Sequence, residues 1–309
     1  MKLYYAPINF HFRFETPVVP SAHPFFVLRS VLGMNLKKIC CIAKSSECVS
    51  CSFSNKCFYA RIFETIVERD NEILNGVNRL SHPFSFSGNF SFNKKEVLSD
   101  FMFTLTLFGK AIDALPYIFA AFMRQETFGL FRSRTRFKIA NVSFENKSLL
   151  KNDGIDMSFS AKQFSFIEKN NVRENFSGDI LVELKSPLRF KVKGKYTNDF
   201  EANDFFACLF RRTQTLCSLY GEKITAFKNK IFNNFSDVKI IEKKISWLDY
   251  EHWSSRQKKS MQLGGVVGTF ILRGNFSRFL LALLEFAEIA GAGKNAGFGF
   301  GQINSWKKI

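Results

Sequence analysis

Two successive runs of strand, helix, strand, strand, helix, strand patterning predict an α+β chain. The order is that of two tandem ferredoxin-like (RRM-like) βαββαβ domains, with a cysteine-rich loop inserted in the first. Three observations carry that prediction. Apolar residues alternate with period two where strands are expected, and apolar runs of helical length separate them. Each second helix is followed by glycine and then by a final strand beside basic residues, which reads as an internal duplication.

The first domain spans 1–150. Tyr4 to Phe14 opens it as a strand, with Phe10, Phe12 and Phe14 on one face and Asn9, His11 and Arg13 on the other. Pro24 then starts a helical pattern through Lys38, in keeping with proline's tolerance in a first helical turn. A polar loop over 40–57 follows. One strand of the order is expected between that loop and the next recognisable strand, Val97 to Phe108, without defined bounds. Ala111 to Arg124 reads as a helix, and Gly129 leads into the alternating strand Arg134 to Phe144. Asn, Asp, Gly and Ser cluster over 146–159 and mark the boundary.

The second domain, 160–309, repeats the plan. Phe176 to Val192 is a strand region broken at Pro187, Asn203 to Tyr220 a helix, and Val238 to Trp247 and Val266 to Gly274 strands. The helix Arg278 to Ile289 feeds the glycine-rich loop 291–301, and Phe298 to Trp306 closes the unit. Gly291, Gly293, Gly297, Gly299 and Gly301 reach φ > 0 cheaply and let a ligand approach the main chain. The loop is therefore expected to aim amide groups at an anion, with Lys294 adding a cation. A dinucleotide fingerprint or a Walker A loop would follow a strand and open a helix; here the helix comes first, which disfavours a nucleotide pocket.

Composition narrows the partners. The 309 residues carry 44 Lys and Arg against 27 Asp and Glu, a formal charge of +17, and so call for an anionic partner. The cations are dispersed, without an amphipathic basic helix, which favours RNA over a membrane surface. The 39 phenylalanines are read mainly as core, with base stacking as a minority use. No long apolar window and no leader pattern is present, so a soluble cytoplasmic protein with no membrane partner is expected.

Cys41, Cys48, Cys51 and Cys57 have the spacing C-x6-C-x2-C-x5-C, with Cys40 as a spare. Four thiolates within one short loop can close around a single metal. Zinc in a structural role is the first choice, an iron–sulfur cluster shares the ligand type, and unliganded thiols are the plain alternative. Cys208 and Cys217 lie on an apolar helix and read as core.

Four stretches together resemble the CRISPR precursor-RNA processing endoribonucleases of the RAMP superfamily. They are Leu28-Arg29-Ser30-Val31-Leu32-Gly33 ahead of the cysteine loop, Lys185-Ser186-Pro187-Leu188-Arg189-Phe190, Cys208-Leu209-Phe210-Arg211-Arg212, and Trp253-Ser254-Ser255-Arg256-Gln257. Gly264-Gly265-Val266-Val267-Gly268 and the terminal glycine loop follow the last of them. The resemblance implies cleavage of CRISPR repeat RNA without a metal at the scissile phosphate, retention of the product, and other CRISPR effector subunits as further partners. A non-catalytic RNA-binding subunit of such a complex is the alternative. Members of this family often carry a histidine just after the glycine of the first stretch, where this chain has Met34 and Asn35.

Metal-free cleavage by 2′-hydroxyl attack needs a general base, a general acid and cations for the phosphorane, and no cofactor. Of the four histidines, His252 keeps the densest company, with Ser254, Ser255, Arg256, Lys258 and Lys259 close in sequence. His23 precedes Pro24, where a helix dipole would favour the neutral base. His252, His23 and Arg256 are the catalytic candidates. Arg211, Arg212, Lys258, Lys259, Lys294 and the five loop glycines are the RNA-binding candidates. His11 could face RNA, and His82 has no supporting neighbours in sequence.

Overall fold

The computed structural model describes residues 2–43, 47–65, 80–89, 96–152, 154–166, 175–221, 237–254 and 259–308; for 252–254, 259, 261 and 308 it gives the backbone alone. The chain divides into two compact units, Tyr4–Gln163 and Phe164–Ile309, the latter taking in the first three residues. Each unit is α+β with an antiparallel sheet.

In the first unit β1 (Lys2–Val18) leads to α1 (Pro24–Cys40), β2 (Phe84–Ser87), β3 (Leu98–Phe108), α2 (Leu115–Glu126) and β4 (Phe137–Phe144). The sheet order is β2-β3-β1-β4. β1 is central because alternate residues Ile8, Phe10, Phe12 and Phe14 are all buried, and it pairs with β3 on one side and β4 on the other. Phe12 stacks on Phe137 with centroids 4.5 Å apart, and Phe10 on Phe103 at 5.3 Å. Phe122 of α2 meets Phe10, Phe12 and Phe103 edge-on, which fixes that helix over the sheet. α2 starts later than the apolar pattern suggests. Gly109–Ala114 is a 3₁₀ turn, and Pro116, which cannot donate a backbone hydrogen bond, falls in the first turn of the α-helix.

The second unit runs β5 (Phe176–Leu188), a short hairpin of β6 (Lys191–Val192) and β7 (Lys195–Tyr196), α3 (Ala202–Tyr220), β8 (Val238–Ser254), β9 (Lys259–Phe276), α4 (Arg278–Ala290) and β10 (Ile303–Lys308). Its main sheet has the order β8-β9-β5-β10, the same positions relative to its helices as in the first unit. Three bounds differ from the sequence reading. β5 continues through Pro187 to Leu188. The final strand begins at Ile303, because Ala296–Phe298 forms a 3₁₀ turn. β8 and β9 extend into a long hairpin that reaches Ser254 and Lys259, so His252 lies on a strand opposite Met261. Phe200, Phe205, Phe206, Phe210 and Phe270 are buried among β9 and α3, so the expectation that most phenylalanines are core holds for these.

Candidate nucleic-acid interface

The glycine loop is built from the end of α4. Gly291 caps the helix with φ +72°, and the chain folds back on itself: the Ala292 amide donates to the Gly301 carbonyl (2.7 Å), that of Lys294 to Arg189 (2.8 Å) and that of Gly301 to Pro187 (3.1 Å). The Phe298 and Gly299 amides donate to Asn295 and Ala296. These amides close the loop onto itself and onto the end of β5, a correction to the expectation that they point at an anion. The glycines answer the resulting crowding. A Cβ on Gly301 would lie 1.9 Å from the Ala292 carbonyl oxygen, and one on Gly293 2.5 Å from that of Arg189, with φ +73° and +67°. Gly299 is also in the left-handed region, and Gly297 is buried in the 3₁₀ turn.

What the folded loop does is fix Lys294 beside the β6–β7 hairpin. Lys193 and Gly194, with φ +48° and +83°, form its two-residue turn. Tyr196 follows, with the Arg189 guanidinium carbon 3.8 Å from its ring centroid and the Lys191 and Lys294 ammonium groups at 5.1 and 5.9 Å. Arg189 is held from its other side by the carbonyl of Gly264 (2.6 Å). A side chain on Gly264 would collide with Trp247 and Asp249, which are hydrogen-bonded to each other. Among the described residues none of Arg189, Lys191 and Lys294 is ion-paired. Sequence spacing singled out Lys294 but not Arg189 or Tyr196. The signal present was the Lys193-Gly194 turn, which brings Lys191 opposite Tyr196.

The two arginines of α3 separate. Arg211 is exposed. Arg212, expected at the RNA surface, is 8% exposed and donates to the Ala290 carbonyl (3.1 Å), so it satisfies the C-terminal end of α4; burial draws its pKa down to about 10.

The histidines also part company. His23 is the N-cap of α1, its Nδ1 accepting from the Phe25 amide (3.3 Å) while its ring packs between Phe25 and Phe26. It is 8% exposed, and burial rather than the helix end pulls its pKa down to about 3. His82 does have partners. Its Nδ1 faces the Ile62 carbonyl (3.1 Å), which can only accept, so Nδ1 carries the proton and Nε2 accepts from Arg29 at 2.8 Å. His11 donates to Asp100 (2.6 Å), which also accepts from Arg13, on the exposed face of the first sheet; those bonds hold the Asp100 carboxyl below its usual range. The backbone of His252 is on β8 and that of Lys259 on β9. Arg256 and Lys258 lie outside the described residues.

Met34 is 48% exposed, whereas Asn35 is buried and donates to the Ala121 carbonyl and to Gln125, tying α1 to α2. The cysteines 40, 41, 48, 51 and 57 are all half-buried near the end of α1. The Cys51 amide bonds back to the Cys48 carbonyl, and the Cys57 thiol lies 3.8 Å from the Cys40 carbonyl oxygen. Among the described residues no three potential ligands form a metal-holding group. Nor is any described helix long and apolar enough to cross a membrane.

The chain thus combines two α+β units of the same strand order with, in the second, a cationic patch centred on Tyr196 beside a glycine loop. Residues 182–303 match the family of the CRISPR-associated endoribonuclease Cas6, and residues 3–158 match a family described as an N-terminal domain. The match to the family of the CRISPR-associated endoribonuclease Cas6 lies within the second unit. Among solved structures, a Cas6 product complex is 13% identical with a TM-score of 0.57, over 98% of this chain and 100% of that one. Thermus thermophilus Cas6 is 13% identical with a TM-score of 0.53, over 98% and 99%. A partial Cas6-RT-Cas1–Cas2 complex is 12% identical with a TM-score of 0.57, over 99% of this chain and 46% of that one. These likenesses establish the fold. A comparison with curated proteins gives no match.

Proposed function

We propose that this chain is a metal-independent endoribonuclease that cuts CRISPR repeat RNA into guide RNAs and keeps hold of its product. The observation that carries the reading is the family match over 182–303, the segment that holds the glycine loop and the cations around Tyr196. The order strand-helix-strand-strand-helix-strand, with sheet order 2-3-1-4 in each unit, supports reading both as ferredoxin-like domains. A Cas6-like chain assembled with reverse transcriptase, Cas1 and Cas2 supports further CRISPR subunits as partners. A role in processing CRISPR RNA, drawn from the family match, favours the cytoplasm.

In the proposed reaction a base removes the proton of the ribose 2′-hydroxyl and the oxygen attacks the adjacent phosphorus. The bond to the 5′-oxygen breaks, and an acid protonates that leaving oxygen. The products are a 2′,3′-cyclic phosphate and a 5′-hydroxyl. We assign proton transfer to His252, with Arg256 and the neighbouring lysines on the phosphorane. The burial of His23 supports giving it the helix cap instead. Single-turnover cleavage tests this: His252→Ala should slow the chemical step by about 10²- to 10⁴-fold, and His23→Asn, which keeps a capping oxygen, should leave it unchanged. If His252→Ala does not slow it by even roughly tenfold, the assignment to His252 fails, and a slowed His23→Asn would return the role to His23. The competing reading, an RNA-binding subunit that does not cut, draws on Met34 and Asn35 at the position where family members often have histidine; wild-type protein that binds but never cleaves would establish it.

We further propose that Cys41, Cys48, Cys51 and Cys57 hold one structural zinc. Four half-buried thiols near one helix end, with the Cys48–Cys51 turn already formed, support the reading, and metal binding would draw the side chains together. The metal has no part in the cleavage step.

A further inference from the structure

Around Tyr196 the chain spends more organisation than a positive surface needs. A lysine and a glycine with φ +48° and +83° turn the β6–β7 hairpin so that Tyr196 stands at its end, 38% exposed. The Arg189 guanidinium carbon lies over the ring, 3.8 Å from its centroid, and the guanidinium is held by the Gly264 carbonyl. Lys191 and Lys294 complete a ring of three cations with no carboxylate partner among the described residues. Three positive charges gathered around one ring repel one another, and the cation–π contacts offset only part of that cost. The arrangement is matched by a ligand that brings a flat aromatic surface together with negative charge on either side. Single-stranded nucleic acid has that chemistry, with a base for the ring and flanking phosphates for the cations.

We propose that Tyr196 is a stacking platform for one unpaired base of the bound RNA, with Arg189 backing the ring and Lys191 and Lys294 taking the flanking phosphates. This deepens the functional reading above and rests on it. The platform lies where Arg189 is shared between the end of β5, the hairpin and the glycine loop. The loop's closure onto Arg189 therefore has a purpose in addition to ending a helix.

The test separates base from phosphate. Fluorescently labelled oligouridine and inorganic polyphosphate are titrated against the full chain over a range of salt. Tyr196→Ala should weaken oligouridine by about 5- to 150-fold, the range expected for losing one stacked base, with its salt slope unchanged. Tyr196→Trp should keep the affinity, and polyphosphate binding should be the same for all three proteins. Lys294→Ala should instead weaken both ligands and lower the slope by about 0.7. Equal oligouridine affinity for wild type and Tyr196→Ala overturns the platform while leaving RNA binding intact. Loss that appears equally with polyphosphate, or that Tyr196→Trp shares, makes Tyr196 a mere support for the cations and overturns it too. Wild-type protein that binds neither oligouridine nor repeat RNA overturns the functional reading itself, and the platform falls with it.

Discussion

At the scale of single residues, burial decides what each titratable side chain can do. His23 and His11 show the two extremes: one sealed between phenylalanines at a helix start, the other on an open sheet face with Asp100. The first has a consequence for stability. With a folded pKa near 3 against the ordinary 6.5, His23 is protonated only in the unfolded chain between those values. The unfolded state then binds the extra proton, so stability falls as pH drops below about 6.5, by up to ~1.4 kcal/mol per pH unit, and is unaffected above it. His23→Asn retains an N-cap oxygen but does not titrate. The gap in unfolding free energy between the two proteins should be flat from about pH 8 to 7 and should shift in favour of the variant as the pH falls to about 5. A gap that stays constant over that range would mean that the wild-type ring is already protonated when folded or is not buried.

At the scale of elements, the glycine loop and the cysteine loop make opposite demands. The glycine loop is closed by its own amides and by backbone carbonyls pressed against it, so Gly301→Val should destabilise the protein by about 2 kcal/mol or more, through positive φ and the Ala292 carbonyl. Its denaturation midpoint measures this, and a midpoint equal to wild type would mean that the loop is not folded as described. Loss of RNA binding in such a variant would be secondary to that damage, so Lys294→Ala is the cleaner probe of contact. The cysteine loop is expected to need a metal: protein purified without added metal should carry about one zinc per chain. Visible absorbance would indicate iron–sulfur, and neither would remove the proposal. Much of this level was legible in the sequence. Period-two phenylalanines found β1, broader apolar patterning found β3 and β4, and the proline before Phe25 found α1, because core burial and proline geometry are local signals. The strand Phe84–Ser87 does alternate Phe with Ser, but four residues are too short a run for period alone to mark a strand. The length of the β8–β9 hairpin was lost because charged and glycine positions interrupt its apolar pattern. Arg212 and Tyr196 were misjudged or passed over, since which way a helix face turns, and what a two-residue turn sets side by side, depend on tertiary packing.

At the scale of the whole molecule, two units with the same strand order carry a net charge of +17, and the second holds a family match to an RNA-cutting enzyme. Charge alone would serve any RNA, and a fold shared at 13% identity does not specify a reaction. The central claim is therefore the chemistry. End-labelled CRISPR repeat RNA is incubated with the purified protein and a chelator that leaves the cysteine site loaded, and the product ends are then identified. The account predicts cutting at one position, undiminished by chelator, to a 5′-hydroxyl and a 2′,3′-cyclic phosphate. Cleavage abolished by chelator, or products ending in 5′-phosphate, would contradict it.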